Sequence, residues 1–403
     1  MPDEKPKRNV LFLGLVSLFT DLSSQMIYPL VPEFLVSIGA KKAIIGVIEG
    51  IAESTASVFR PLFGRLSDKL KKRKLFIFIG YGLSAISKPF LYIAQAWTAV
   101  LAVRFSDRVG KAIRTPARDA FISTSVHASE KGKAFGFHRA MDRIGAIGGP
   151  LFAMLVLSLF NNNVRYVFLL SVVPAVLALF FIFFARETAA VGAPVAASRQ
   201  REGSLRSLPF IIFLISNIVF ALGNSSNAFL ILKAREAGLA IALIPVIWIV
   251  YNIFCTISSP IFGSLSDRLG RKPIIIVSFL YYSIVYFLFA FAESLWLIWL
   301  LFGAYGIYYG LSEGIFRAYI ADLVDPQNRA TAYGLFNTGI GLALFPASLI
   351  MGAIWDAFGS KWAFLTSAGF SLLGFLILLT SLILLRSGFV WAKKKGDIEP
   401  LLL

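Results

Sequence analysis

The sequence predicts an all-α polytopic membrane protein with twelve transmembrane helices in two parallel six-helix repeats. Three observations support this fold. The 403-residue chain is 57% hydrophobic and only 15% charged, with a mean hydropathy of +0.76, whereas soluble domains average about 25% charged residues. Its apolar segments are long enough to cross a bilayer. A motif at 64–69, Gly-Arg-Leu-Ser-Asp-Lys, returns at 263–268 as Gly-Ser-Leu-Ser-Asp-Arg.

Twelve apolar segments follow one another along the chain. Crossing the hydrocarbon core of a bilayer takes about 20 helical residues. Several segments are longer, which suits helices that are tilted in the membrane. We expect the spans at 10–36, 44–63, 75–95, 98–122, 133–159, 164–185, 208–232, 241–264, 273–292, 296–322, 330–356 and 362–386.

The segments divide into two halves, 1–185 and 208–403, the second ending in a short basic tail. Residues 186–207 between them are small, polar and basic, which is typical of a flexible linker. Further echoes connect the halves, such as Ser23-Ser24-Gln25 with Ser225-Ser226-Asn227. The echoes run in the same direction, so the repeats are parallel. Transporters built from repeats hold their solute near mid-bilayer, where the repeats meet.

Basic residues predict the orientation of the chain. Most of the basic residues outside the spans lie at the two termini, in the linker, and in the loops that share a membrane side with the termini and the linker. The positive-inside rule then places both termini and the linker in the cytoplasm, with the chain in the plasma (inner) membrane. The net charge of +17 could indicate nucleic-acid binding, but on these loops it favours attraction to anionic lipid headgroups.

The remaining composition limits other classes of partner and cofactor. The first apolar run contains Asp21 and is too long for a signal peptide, so it should remain as a span. A single cysteine, Cys255, excludes an internal disulfide, and two histidines are too few for a dedicated metal cluster. We expect a monomer with no metal or cofactor, whose partners are the lipid bilayer, protons and a small-molecule substrate.

The loop motifs are similar to those of the major facilitator superfamily, and the resemblance covers essentially the whole chain. The superfamily's loop signature is Gly-x-Leu-Ala-Asp-Arg-x-Gly-Arg-Lys. The second copy, 263–272, matches it with Ser266 in place of alanine, whereas the first copy has Lys69 and Lys71 at variant positions. The resemblance implies the twelve-helix fold and secondary transport, without naming a solute.

Two further signatures of the superfamily are partly present. Arg104 and Gly110 match the Arg-x-x-x-Gly-x-Gly pattern of the fourth span, with Arg108 at the first glycine. Residues 145–150 match the start of the fifth-span signature Gly-x-x-x-Gly-Pro-x-x-Gly-Gly, although Ala153-Met154 stand at its final glycines. The resemblance associates this signature with antiporters, and so implies export in exchange for protons.

In the superfamily's fold, the loop aspartates would form a conformational latch. Asp68 would face the start of the eleventh span near Thr331, and Asp267 would face the start of the fifth near Lys133. A carboxylate is favoured at a helix N-terminus by its free amides and its dipole. The alternative is a solvated turn with ordinary charge pairs. We take the latch residues to be Gly64, Asp68, Gly263, Asp267 and Arg268.

Charged residues inside the spans are the candidates for function, because each needs a partner or a wet cavity. In the fourth span, Arg104, Asp107, Arg108 and Lys111 recur at three- and four-residue spacing and share one helical face. We expect this face, with His138 of the fifth span, to bind solute. The alternative is a salt-bridge network that only joins helices. The candidate proton carriers are Asp21, Glu49, Glu53 and Asp142.

The second half offers mainly polar amides. Asn224, Asn227 and Asn252 could bind solute by hydrogen bonding or could equally join helices, at about 0.6 kcal/mol each. Glu313, a further solute candidate, has the spacing for an i, i+4 ion pair with Arg317.

The sequence therefore predicts a secondary transporter of a small organic solute that works by alternating access. A proton-coupled exporter is favoured, and a proton-coupled importer of a small organic anion or metabolite is the alternative. Metal efflux, with Asp21, His138 and Asp142 as ligands, and a non-transporting receptor are weaker alternatives. An enzyme is disfavoured, because no nucleophile elbow, zinc-protease motif or phosphate loop occurs.

Overall fold

A computed structural model describes residues 4–127, 130–186, 205, 207–325 and 328–395. These residues form α-helices and no strand. The helices of the first half are α1 Glu4–Ile27, α2 Val31–Ser37, α3 Lys42–Leu70, α4 Arg73–Ser87, α5 Phe90–Ile93, α6 Trp97–Thr124, α7 Lys131–Leu159, α8 Val164–Leu170 and α9 Val172–Phe184. Those of the second half are α10 Leu208–Gly223, α11 Ala228–Glu236, α12 Ile244–Leu269, α13 Arg271–Ala290, α14 Leu295–Leu323, α15 Arg329–Phe358 and α16 Ser360–Lys395.

These helices make the twelve predicted spans, so the predicted fold is confirmed. Four spans consist of two helices each, namely α1 with α2, α4 with α5, α8 with α9, and α10 with α11. Pro29 and Pro89 lie at the first two of these breaks, because proline removes a backbone donor and clashes with the preceding turn. The α10–α11 break has no proline, and there the hydroxyl of Tyr282 donates to the carbonyl of Gly223 at 3.0 Å. Such side-chain bonds satisfy backbone groups that an interrupted helix leaves free.

Ten of the twelve spans are long and apolar enough to cross a membrane by composition alone, within the ranges that the structure describes. The other two are α3 and α6, of 29 and 28 residues. They are long enough but carry charged residues in their middle. A charge at mid-bilayer costs roughly 2.5 to 3.5 kcal/mol on insertion scales. These two spans therefore belong in the interior of the bundle, and they carry most of the site described below.

The halves meet closely where α3 packs on α15, and glycine makes this approach possible. A Cβ built at Gly46 would lie 2.2 Å from the carbonyl oxygen of Ser348, and one at Gly50 would lie 2.9 Å from the Cα of Phe345. Small residues let helix backbones approach closely in membranes. The contact fixes α3, with its two glutamates, against the second half.

Twelve spans place the start of α1 and the end of α16 on one side of the bundle, which we call the termini side; the opposite side is the far side. The far side is closed by contacts between halves. Asp356 accepts from the backbone amides of Lys42 and Ala43, and Arg235 pairs with Glu33 at 2.9 Å. The linker residues 187–204 and 206 lie outside the described residues, so the linker boundaries remain a prediction.

On the termini side, the two loop motifs adopt the same local arrangement. Asp68 lies 3.8 Å from Arg73, and Asp267 lies 3.8 Å from Arg271. Arg73, at the start of α4, also donates to the carbonyl of Ala120 on α6 at 3.3 Å. Arg271, at the start of α13, likewise donates to the carbonyl of Ala318 on α14 at 3.0 Å. Among the described residues, the ion pairs of both aspartates stay within their own halves. The latch role, which needs contacts of these aspartates with the starts of α15 and α7, remains a prediction.

Candidate solute site between the two halves

A cavity of about 450 Å³ lies between the halves. Helices α1, α3, α4, α6 and α7 line it from the first half, and the α10–α11 break, α12 and α14 line it from the second. Basic side chains outnumber acidic ones in the lining, eight to five. The basic residues are Lys88, Arg104, Arg108, Lys111, Arg114, Arg118, Arg139 and Arg143, and the acidic residues are Asp21, Glu53, Asp107, Asp142 and Glu313.

Two arginine–glutamate pairs join α6 to α3. Arg104 Nε donates to Glu49 Oε1 at 3.0 Å and its Nη2 donates to Oε2 at 2.5 Å. One helical turn further on, Arg108 Nη2 donates to Glu53 Oε1 at 2.6 Å. Both arginines are buried. A buried charge is costly unless it is paired, so each pair keeps its arginine in the bundle interior.

The two glutamates have different access to the cavity. Glu49 is 1% exposed and does not belong to the lining; its Oε2 also accepts from Ser226 Oγ of the second half at 3.3 Å. The side chain of Glu53 is 33% exposed and lines the cavity. Of the two predicted proton carriers on α3, Glu53 is thus the one that water and solute can reach.

Three further charged residues of the lining have no partner of opposite charge within ion-pair distance among the described residues. Lys111 lines the cavity with no carboxylate within ion-pair distance. Asp107 Oδ1 is buried with no hydrogen-bond partner. Lys88 Nζ donates only to hydroxyls, to Ser23 Oγ at 2.8 Å and Ser24 Oγ at 3.0 Å. Lys88 had no predicted role, although a lysine within an apolar span was a signal for one.

Two further arginines of α6, Arg114 and Arg118, lie towards the termini side and have partners within the first half. Arg114 donates to Ser84 Oγ at 2.5 Å and lies over the ring of Tyr81, 4.8 Å from its centroid. Arg118 pairs with Asp119 at 2.9 Å. The contacts of Arg114 join α6 to α4, and a hydrogen bond from Arg118 to Ser17 Oγ at 3.4 Å joins α6 to α1.

Asp21 and Asp142 lie on α1 and α7, which pack closely together. Both line the cavity, and Asp142 accepts a short hydrogen bond from Ser17. The Nδ1 of His138 lies 3.5 Å from Asp142 Oδ2. His138 is buried and does not belong to the cavity lining. Its contact with solute stays a prediction, and in this conformation its described partner is Asp142.

The metal-efflux alternative finds no ligand set here. Within the described part of the chain, no three His, Cys, Asp or Glu side chains cluster closely enough to hold a metal ion. The proposed trio of Asp21, His138 and Asp142 is accordingly not such a group.

Aromatic rings form the opposite wall of the cavity. Tyr251 and Tyr309 of the second half line it with Trp248, and Tyr28 joins them from the first half. The rings of Tyr251 and Tyr309 meet edge to face at 5.6 Å, and those of Trp248 and Tyr251 lie 4.6 Å apart. This wall was not predicted from the sequence. The available signal was the run of tyrosines in the tenth span, Tyr305, Tyr308 and Tyr309.

The predicted asparagines separate into two groups. Asn227 and Asn252 line the cavity; Asn227 Oδ1 accepts from the hydroxyl of Tyr305 at 2.6 Å. Asn224 does not belong to the lining, and its Oδ1 accepts from the hydroxyl of Tyr282 at 3.2 Å. Solute contact by Asn224 stays a prediction, and in this conformation its side chain bonds to Tyr282 beside the α10–α11 break.

Glu313 lines the cavity as predicted, but its partner is different. Its Oε1 lies 3.3 Å from Arg139 Nη2 and its Oε2 lies 3.6 Å from Arg143 Nη2. The expected pair with Arg317 on its own helix is not formed, because the carboxylate extends across the cavity to the other half.

Comparison with known proteins agrees with this architecture. The family model described as the Major Facilitator Superfamily matches residues 13–230 and 210–397. The chain belongs to the major facilitator superfamily. It is thus a multi-pass membrane protein of a family of secondary transporters, as the loop motifs implied.

Relatives within the superfamily are both near and distant. An MFS-type transporter of Methanocaldococcus jannaschii is 36% identical over 361 residues, which cover 88% of this chain and 90% of the relative. The multi-drug resistance efflux pump PmrA of Streptococcus pneumoniae is 23% identical over 320 residues, covering 76% and 78%. Among solved structures, that of the nucleoside transporter NupG superimposes with a TM-score of 0.71 at 17% identity, covering 92% of this chain and 98% of that one. That likeness shows the fold alone.

Proposed function

We propose that this chain is a proton-coupled transporter of small organic anions that carry an aromatic ring. The observation that carries the proposal is the two-sided cavity, with unpaired cationic groups on one wall and aromatic rings on the other. Alternating movement of the two halves would expose this cavity to each side of the membrane in turn.

The charge of the cavity supports an anion. Basic residues exceed acidic ones in the lining, and Lys111 has no carboxylate partner among the described residues. Lys88 is held only by hydroxyls. An anionic group placed between these cations would balance charge that the protein leaves uncompensated in a low-dielectric interior.

The aromatic wall supports a ring. Tyr28, Trp248, Tyr251 and Tyr309 present ring faces and edges to the cavity. Aromatic pairs are worth about 0.5 to 1.5 kcal/mol beyond their burial when ring centroids lie 4.5 to 7 Å apart. A benzene ring between these side chains would gain several such contacts while its anionic group reached the opposite wall.

The Arg108–Glu53 pair supports coupling to protons. A solute anion that binds Arg108 takes away the cation that Glu53 contacts at 2.6 Å. A carboxylate left unpaired in such a cavity is stabilised by taking up a proton. Anion and proton would then bind together and cross together, which is symport. Asp21 and Asp142 are further candidates for the proton.

Proton-coupled export is the second candidate function. It is favoured by the partial antiporter signature at 145–150 and by the similarity to a multi-drug efflux pump. In the structure, Gly145 and Gly149 of this signature pack against the backbone of α1, a contact that either direction of transport could use. The two candidates differ in the direction of proton movement relative to the solute, which is the same in symport and opposite in antiport.

The orientation and location are proposed from the basic loops. The termini side would face the cytoplasm, and the bundle would lie in the plasma or inner membrane as a monomer. The conformation described here, closed on the far side, would then be inward-facing.

The experiment uses proteoliposomes with an entrapped pH dye and three probes that share one ring. Benzenesulfonate is anionic at all relevant pH values, benzyl alcohol is uncharged and benzyltrimethylammonium is cationic. A sulfonate does not carry protons across lipid by itself, so a pH change reports the protein. We expect benzenesulfonate alone to acidify the lumen when it is added outside.

The outcomes separate the candidates. Alkalinisation on adding benzenesulfonate would replace symport with antiport. A response to benzyltrimethylammonium but not to benzenesulfonate would overturn the anion proposal. Liposomes without protein, and protein with Lys111 and Arg108 both changed to glutamine, are the matched controls and should give no response.

A further inference from the structure

Glu313 of α14 extends across the cavity and lies between two arginines of α7. Its oxygens are 3.3 Å from Arg139 and 3.6 Å from Arg143. The arginines are four residues apart, so they project from the same face of the helix. A carboxylate between two guanidinium groups is the arrangement by which proteins commonly hold anionic ligands.

All three side chains line the cavity, and none is fully buried. Glu313 is 32% exposed, Arg143 is 24% exposed and Arg139 is 55% exposed. Ion pairs with this much solvent access contribute little, about two- to fivefold in an equilibrium constant. An anion that enters the cavity can therefore compete with Glu313.

We infer that Arg139 and Arg143 form a second anion-binding site in the cavity, in addition to the one proposed at Lys111 and Arg108, and that Glu313 is its built-in competitor. The inference rests on the proposed function only in taking the solute to be an anion. A carboxylate or sulfonate would bind the two arginines as Glu313 leaves them. No covalent step is involved.

Displacement of Glu313 also has a mechanical consequence. The arginines belong to the first half and Glu313 to the second, so their contact joins the halves across the cavity. An anion that takes both arginines removes that contact. Binding of solute and relative movement of the halves would then be linked through one carboxylate.

The test measures the reactivity of the two arginines and does not depend on transport. Phenylglyoxal modifies free guanidinium groups, and peptide mass spectrometry of the purified full chain gives the rate at each arginine. We expect Glu313→Gln to raise the rate at Arg143 about two- to fivefold, which is the weakness expected of a partly exposed pair. Sodium benzenesulfonate or sodium sulfate should slow the reaction at Arg139 and Arg143 in this variant.

The matched control is Asp322→Asn on the same helix. Asp322 pairs with Arg271 within the second half and does not line the cavity. This variant should raise the rate at Arg271, which validates the assay, and should leave Arg143 unchanged. Glu313→Asp, with a shorter side chain, should give an intermediate rate at Arg143 and serves if the glutamine variant does not fold.

Two results would overturn the inference. Equal rates at Arg143 with glutamate and glutamine at position 313 would mean that Glu313 does not occupy the site. Unchanged rates in the presence of benzenesulfonate and sulfate would mean that the arginines bind no anion. If protection is seen but benzenesulfonate is not transported, the anion site stands and the proposed function fails.

Discussion

Asp356, near the end of α15, accepts a hydrogen bond from the backbone amide of Lys42, the first residue of α3, at 3.0 Å. Its second oxygen accepts from the amide of Ala43 at 2.7 Å. The helices belong to opposite halves, so a carboxylate of one half caps a helix of the other. A helix N-terminus has free amides and a partial positive charge, which makes it a favourable site for a carboxylate. The loop motifs predicted such contacts on the termini side, and this structure has one on the far side.

Changing Asp356 to asparagine should weaken closure of the far side. A charge–dipole contact of this kind is worth about 0.3 to 1 kcal/mol, so the ratio of far-side-open to far-side-closed molecules should rise about twofold to fivefold. Spin labels at exposed positions 37 and 293, in a background with Cys255 replaced, would report the distance between the two halves on the far side. We expect a larger fraction of molecules with the longer distance. Glu130→Gln, remote from the contact, is the control. An unchanged distance distribution in the Asp356 variant would show that other contacts close this side.

The loop aspartates should act on the opposite side. Asp68 is 68% exposed beside Arg73, and Asp267 is 71% exposed beside Arg271, so these local pairs contribute little. If the aspartates cap α15 and α7 when the termini side closes, Asp68→Asn or Asp267→Asn should favour the termini-side-open state about twofold to fivefold. Spin labels at exposed positions 69 and 329 would report the change. The same distances in both variants as in the parent would leave the aspartates with a role in folding only.

Replacing Glu53 with glutamine should separate proton coupling from solute movement. Glutamine cannot take up and release a proton, yet it keeps the size of the side chain beside Arg108. We expect uptake of radiolabelled benzenesulfonate driven by a pH gradient to be lost, while exchange of internal for external solute continues. Glu293→Gln in an exposed loop is the control and should preserve both activities. Intact gradient-driven uptake in the Glu53 variant would exclude it as the proton carrier.

The cavity-facing side of α6 can be mapped with single cysteines, again without Cys255, which itself lines the cavity. Cysteines at Arg108 and Lys111 should react rapidly with a water-soluble thiol reagent, and benzenesulfonate should protect them. Val103, an apolar neighbour of the charged face, belongs to the cavity lining and is unsuitable as a slow control. The suitable slow control is Phe105, on the outer surface of the helix and 41% exposed, where lipid would exclude the reagent and suppress the thiolate. Equal rates at 105 and 111 would contradict this orientation of α6.

The glycines of the fifth-span signature should be sensitive to one added methyl group. A Cβ at Gly149 would lie 2.5 Å from the carbonyl oxygen of Leu22 on α1, whereas one at Gly148 would meet only a side-chain methyl of Leu22 at 3.6 Å. Gly149→Ala should therefore cost about 1 to 3 kcal/mol through overpacking. Gly148→Ala should be neutral or slightly stabilising, because alanine favours helix over glycine. Thermal unfolding in detergent compares them, and equal melting temperatures would refute the close packing of α1 and α7.

Sequence alone predicted the twelve spans, because a bilayer imposes a length and an apolarity that can be read along the chain. It also predicted that Arg104, Arg108 and Lys111 share one face, since the spacing of a helix is fixed. The predicted spans include α3 and α6, which are long enough to cross the membrane although charged residues lie in their middle.

Packing between helices selects which charges meet. Spacing favoured Glu313 with Arg317, yet the carboxylate contacts Arg139 and Arg143 of the other half. Periodicity places a residue on one side of its helix, but it does not say which helix packs there or which of several partners is nearest. His138 and Asn224 show the same limit, since neither belongs to the cavity lining although their neighbours Asp142 and Asn227 do.

The number of spans, the two related halves and the charged faces could all be predicted from the order of the residues, because these features follow from helix geometry and the bilayer. The two-sided cavity, with cations opposite tyrosines, and the far-side contact between Asp356 and the start of α3 emerge only in the folded chain. Both join residues far apart in the chain. Their free energy depends on distances between helices, which a sequence pattern does not contain.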